Sequence, residues 1–404
     1  MTICPLKPRG YVGQRMSFVE ELNKLDQTGH RSALLRQFEQ LIEPVSPRCL
    51  EEMAMESAGV TRQHFGQTMR MFAPIYLSNE CINNCSYCGF SRDNPILRTT
   101  LTVTQVVAEA RHLSSRGFRN ILLVAGEHPK FVSDGYMEEC LNALREEIPT
   151  LAIEIGPMEE DEYSRMVNAG CEGLVVYQET YHREKYAELH TAGPKKNFDW
   201  RLVCPERGYD GGFRRMGIGA LMGLVDWRYD ALRLAAHLEY LFKTCWKSSF
   251  TISLPRLRPA AGSFQPDHEI SDRDFVQLIC AFRICFPQVG IVLSTREPAA
   301  LRDSLFPLGI TSISAGSHTA PGGYTGEGAD DLHLTVRGRR VELDETNTKP
   351  CSSGSEKSTD ATGQFDIADE RSPEEIADFL RGIGLEPVWK DWDSSILLNQ
   401  SALA

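Results

Sequence analysis

The sequence predicts an α/β protein, a (β/α)8 TIM-type barrel with an N-terminal helical extension and a C-terminal segment. Short apolar runs rich in branched residues recur at 73–77, 120–124, 151–155, 173–177, 216–221, 250–254, 290–293 and 311–314. Each gap leaves room for a helix, and parallel strands buried on both faces read as continuous apolar runs of this kind. No glycine-rich dinucleotide fingerprint follows the first run, which argues against a doubly wound open sheet.

The elements follow in order. Positions 16–72 carry a helical period, with Phe18, Leu22 and Leu25, then Leu34, Leu35 and Phe38, then Met53, Met55 and Val60. Residues 1–71 are therefore expected to form the helical extension and 72–320 the barrel. Behind the first run, Thr102 and Gln105 form a capping box, Val106, Val107, Ala110 and Leu113 make one helix face, and Gly117 supplies the stop. Residues 321–364 read as a polar insertion loop, disordered over 346–362, because that stretch holds almost nothing to bury. Residues 365–404 are expected to pack on the barrel. There Ser372, Pro373 and Glu375 combine an N-cap, a proline at the first helical position and a capping-box glutamate, starting a helix that ends near Gly382 or Gly384.

Composition narrows the function. The chain has 404 residues, 42% hydrophobic and 24% charged, and 43 basic against 55 acidic residues give a net charge of −12. This excludes collagen, coiled coil and wholesale disorder. An acidic chain without a basic block has no electrostatic footprint for nucleic acid or an anionic membrane. No run of about 18 apolar residues and no signal-like start occurs, so a cytoplasmic protein with reduced cysteines is expected. Of the 12 cysteines, nine are scattered and read as small buried hydrophobes or surface thiols.

The other three are Cys81, Cys85 and Cys88, spaced C-x3-C-x2-C directly after the first strand. Three thiolates on one loop can hold three irons of a cubane cluster and leave the fourth open. Structural zinc asks for four ligands, usually as two separated pairs, and no second pair is present. The loop also leaves the strand at its C-terminal end, where barrel active sites lie.

This motif, with Tyr87 just before its last cysteine, resembles the radical S-adenosylmethionine (SAM) superfamily. The resemblance implies a [4Fe–4S] cluster on Cys81, Cys85 and Cys88. Its open iron would chelate SAM, which is cleaved to a 5′-deoxyadenosyl radical. It implies Tyr87 against the adenine. Val124-Ala125-Gly126-Glu127 is similar to the Gly-Gly-Glu element that receives the methionine amino group, with Ala125 in place of the first glycine. Glu154, at the end of the third strand, would reach the ribose or methionine part.

Further segments are similar to the aromatic amino acid lyases within that superfamily: 76–81, 178–181, 253–259, 294–297, 314–317, 363–367 and 387–393. This second resemblance implies cleavage of the Cα–Cβ bond of L-tyrosine to dehydroglycine and p-cresol for the thiazole of thiamine. Arg296 would bind the substrate carboxylate as a bidentate fork. Tyr76, Ser314 and Ser317 would orient the amino group. Implied partners are thiazole synthase and a flavodoxin- or ferredoxin-type electron donor. Only Cys351 follows Cys285, so the second cluster of the hydrogenase-maturation lyases cannot form. Tryptophan remains an alternative substrate, Arg256 and Arg258 can bind substrate or close ion pairs, and the insertion departs from the family pattern.

Overall fold

The computed structural model describes residues 17–341, apart from 131 and 133, and residues 360–390. Eight parallel strands form the barrel wall: β1 Thr68–Ser78, β2 Asn120–Ala125, β3 Thr150–Glu154, β4 Gly173–Glu179, β5 Arg215–Ala220, β6 Ser249–Ser253, β7 Gly290–Leu293 and β8 Ser312–Ser314. They pair in sequence order, and β8 closes on β1 through Arg70↔Ser312, Met71↔Ile313 and Phe72↔Ser314. Every apolar run expected to be a strand is one. The branched side chains of Ile75, Leu123, Ile153, Ile252, Ile291 and Ile313 are almost wholly buried.

The barrel begins earlier than the expected boundary at 72, because β1 starts at Thr68. Its first residues pair with a ninth strand, β9 (Glu386–Val388), through Thr68↔Glu386 and Arg70↔Val388. That partner lies about three hundred residues away, beyond the reach of a local pattern.

The extension forms α1 (Phe18–Thr28), α2 (Ala33–Ile42) and α3 (Pro47–Phe65). Ser32 and Ser46 accept the Leu35 and Cys49 N–H groups, as helix N-caps do. The helices lie along the barrel's outer layer rather than over an end. Phe18 stacks on His237 with ring centroids 4.0 Å apart, and Phe38 meets Phe282 at 4.7 Å. No described helix is long and apolar enough to cross a membrane.

The described parts of the insertion differ from the expected loop. His333–Val336 and Arg339–Val341 form a hairpin whose first strand pairs with Ile96–Arg98, on the segment that follows the cysteine loop. Most of the stretch read as disordered, 346–359, lies outside the described residues, but Thr362 is fixed by its N–H donating to Leu97 O at 3.0 Å. From there the chain crosses the C-terminal mouth of the barrel. It is pinned where Asp369 meets Arg302, both side chains fully buried. The helix Pro373–Gly382 then starts on the expected Ser372/Glu375 capping box.

Candidate active site

The cysteine loop is held by its neighbours' polar groups. Asn79 donates to Leu97 O and Thr362 O, both at 2.9 Å, and fully buried Arg98 donates to the carbonyls of Asn79, Phe90 and Ser91. The Cys88 N–H donates to Cys85 O at 3.1 Å, and the Cys85 N–H to Ser91 Oγ at 3.1 Å. Cys85 is buried, while Cys81 and Cys88 are partly exposed. Burial pushes the Cys81 and Cys85 thiols up, and the other thiols of the loop add to the effect. A free thiol is stable here; three adjacent thiolates need a cation between them. Among the described residues no three His, Cys, Asp or Glu side chains close on one point, as a single ion requires. A cubane takes one thiolate on each of three irons rather than three on one ion, and the loop offers three thiols, Cys81, Cys85 and Cys88, for that donor set.

The end of β2 is locked against the same loop. The Gly126 N–H donates to Ser78 O at 3.0 Å, and a Cβ there would stand 2.2 Å from Glu80 O, so only glycine permits the approach. The Ile82 N–H donates to Glu127 O at 2.8 Å, and Asn83 Nδ2 donates to Glu127 Oε2 at 2.7 Å. Tyr87 hydrogen-bonds His190 Nε2 through its hydroxyl at 2.8 Å and packs beside Leu189, Leu221 and Leu224. At the end of β4, Glu179 adopts φ 71°, a left-handed conformation that costs a non-glycine residue energy. Its carboxylate meets Lys195 Nζ at 2.7 Å and Arg201 at 3.4 Å. Burial opposes the charge on Glu179, but Lys195 and Arg201 outweigh it and hold this carboxyl below its usual range.

Beside these groups lies a cavity of about 70 Å³, lined among others by Tyr76, Glu154, Arg296, Ser314, Ser317 and Phe365. The Arg296 guanidinium lies 3.3 Å from the Phe365 ring centroid, and among the described residues it has no ion pair and no side-chain hydrogen bond. Burial pushes its pKa down, against the pull of Tyr76 and Glu154. Burial and the nearby Glu179 raise Glu154 to about 7, in spite of Arg296, Arg201 and Lys195. Ser314 Oγ accepts the Thr295 N–H at 3.1 Å, whereas the buried Ser317 Oγ has no partner. Tyr76 donates to Gln364 Oε1 at 2.9 Å, and Gln364 Nε2 points to Cys88 Sγ at 3.9 Å.

The structure thus gathers Tyr76, Glu154, Arg296, Ser314 and Ser317 in one cavity and sets Cys81, Cys85, Cys88, Tyr87, Gly126 and Glu127 on adjoining loops. Thr180 and Tyr181, in the segment 178–181 that is similar to the family, point to the outer layer and not into this cavity. Thr180 Oγ1 and the Tyr181 N–H both donate to Asp230. Arg256 is committed to Glu297 and Asp272, so it closes ion pairs. Arg258 lines a separate pocket of about 180 Å³, and its Nε has no partner. Sequence reasoning missed Asn83, Lys195, Gln364 and Phe365 as site residues. Asn83 was recoverable from its place inside the cysteine loop, whereas nothing local marks Lys195.

A barrel with this loop at its mouth defines the class: it is a radical SAM enzyme. The model of the radical SAM superfamily matches residues 75–234, and that of the Biotin and Thiamin Synthesis associated domain matches residues 253–386. The superfamily carries a [4Fe–4S] cluster and SAM. The 2-iminoacetate synthase of Escherichia coli (strain K12) is 41% identical over 355 residues, 88% of this chain and 86% of that protein. That of Salmonella typhimurium is 39% identical over the same shares. The chain belongs to the 2-iminoacetate synthase family. Among solved structures, the FeFe-hydrogenase maturase HydG from Carboxydothermus hydrogenoformans superposes with TM-score 0.77 at 34% identity, covering 92% of this chain and 79% of that one.

Proposed function

We propose that this chain is a 2-iminoacetate synthase, a tyrosine lyase that cleaves the Cα–Cβ bond of L-tyrosine to 2-iminoacetate and p-cresol for thiamine biosynthesis. The observation that carries the reading is Arg296, a partly buried cation with no ion pair among the described residues, facing a small cavity near the three-cysteine loop. The carboxylate of a free amino acid suits its planar fork and would give it the ion pair it lacks.

Cys81, Cys85 and Cys88 would hold the cluster. Glu127, oriented by Asn83, would take the methionine amino group, and Tyr87 with its leucines would take the adenine. When bound, cluster and SAM supply a one-electron cleavage whose product abstracts a hydrogen atom from the substrate amino group. The protein's own part is binding and proton control. Arg296 fixes the substrate carboxylate. Glu154, expected from the resemblance to reach the ribose or methionine part of SAM, also lines the Arg296 cavity, where its carboxyl, raised to about 7, can take a proton from the substrate ammonium and leave a neutral amine. Ser317 Oγ, buried and unpartnered, is free to hydrogen-bond that nitrogen. The Lys195–Glu179–Arg201 group leaves a net positive charge that suits a second carboxylate, that of SAM.

2-Iminoacetate hydrolyses readily, so direct delivery to thiazole synthase is part of the reading, as are a flavodoxin- or ferredoxin-type donor and a cytoplasmic site of action. The test is anaerobic: reconstitute with iron and sulfide, reduce, add SAM with tyrosine or tryptophan, and assay 5′-deoxyadenosine and p-cresol. Both products from tyrosine are expected. Deoxyadenosine without p-cresol would overturn the substrate, and Cys85→Ala retaining full iron–sulfur absorption would overturn the ligand set.

A further inference from the structure

One stretch of the C-terminal segment touches both halves of the site. The Gly89 N–H, next to Cys88, donates to Gln364 O at 3.1 Å. Gln364 N–H donates to Thr319 O at 3.0 Å, Thr319 Oγ1 to Phe365 O at 2.9 Å, and the Asp366 N–H to Pro259 O at 2.9 Å. The fit is close on both sides. A Cβ on Gly89 would stand 2.5 Å from Gln364 O, and one on Gly363 would stand 2.6 Å from Thr319 Oγ1. These bonds fix the backbone of Phe365 without using its ring, which is left to cover the Arg296 guanidinium.

We propose that Phe365 is a positioning residue for the carboxylate of a free aromatic α-amino acid, holding the Arg296 fork in the plane that a bidentate pair needs. A guanidinium stacked on one face keeps all its N–H donors, since they lie in its own plane and point outward from its edge. A long side chain with no other hydrogen-bonding partner would otherwise sample several rotamers, each lost at a cost when substrate binds. The ring removes that freedom beforehand and leaves the edge open toward the cavity. The inference rests on the reading that Arg296 binds the substrate carboxylate.

The test measures tyrosine binding to the reconstituted protein, with S-adenosylhomocysteine in place of SAM so that no turnover occurs. Cation–π contacts of this kind predict that Phe365→Leu weakens tyrosine binding by about three- to thirtyfold. Iron content and S-adenosylhomocysteine affinity should stay unchanged, and Phe365→Trp, which keeps a π face, should bind tyrosine within about twofold of wild type. In turnover, Phe365→Leu should raise the tyrosine KM and release more 5′-deoxyadenosine per p-cresol. Wild-type tyrosine affinity in Phe365→Leu, alongside weakened binding in Arg296→Lys, would overturn this inference alone. Loss of iron, S-adenosylhomocysteine and tyrosine binding together would overturn it in favour of a merely structural strap. Wild-type tyrosine affinity in Arg296→Lys would overturn both the inference and the reading beneath it.

Discussion

Arg296 and Glu154 face one cavity, and burial works on both by disfavouring charge. A guanidinium keeps its charge throughout the pH range in which proteins work, so substitution of Arg296 acts through geometry. Arg296→Lys replaces a fork with a point charge and should raise the tyrosine KM by about ten- to a hundredfold, while SAM cleavage without product persists. Glu154 responds to pH instead. Its carboxyl rises from 4.5 to about 7 on folding, so the folded state favours the proton. The stability it contributes is complete below the unfolded value and is lost as pH rises through about 7, at most roughly 3 kcal/mol. Urea midpoints of the apo-protein at pH 5 and pH 8 should show this slope, and Glu154→Gln should flatten it. Arg296 came to notice through the resemblance of segment 294–297 to the family, at the end of an expected strand. Lys195 was not legible, because its meaning lies in an ion pair with Glu179 across a helix and a turn, and no periodicity records such a pair.

Strands and capped helices were legible because their causes are local. The capping boxes at Thr102/Gln105 and Ser372/Glu375 formed where the residues stand. β9 and the 333–341 hairpin escaped notice because a three- or four-residue strand carries almost no period, and partners far along the chain decide it. Two joints between elements can be tested. Gly126→Ala sets a methyl group against the Glu80 carbonyl, where backbone cannot yield, and should lower the iron bound on reconstitution while leaving far-UV circular dichroism unchanged. Asp369→Ala leaves the buried Arg302 uncompensated and should cost about 3–5 kcal/mol, read from denaturant unfolding.

Across the whole molecule, the two matched family models suggest a division between 234 and 253, yet the barrel wall runs through it. β1–β5 lie before that point and β6–β8 after it. A fragment ending at residue 246 would expose the edges of β1 and β5 that normally meet β8 and β6. Such edges aggregate, so this fragment should show no cooperative unfolding and should precipitate, whereas the full chain melts in one transition. The strap also gives the chain a schedule. Cys88 and Gln364 stand 276 positions apart, so the three thiols leave the ribosome long before the residue that closes over them is made. Synthesis itself is therefore the period when iron and sulfide reach this loop with least obstruction. In a finished, emptied enzyme the strap already stands beside Cys88, so iron uptake there should be slower than in a chain that has not yet reached Gln364.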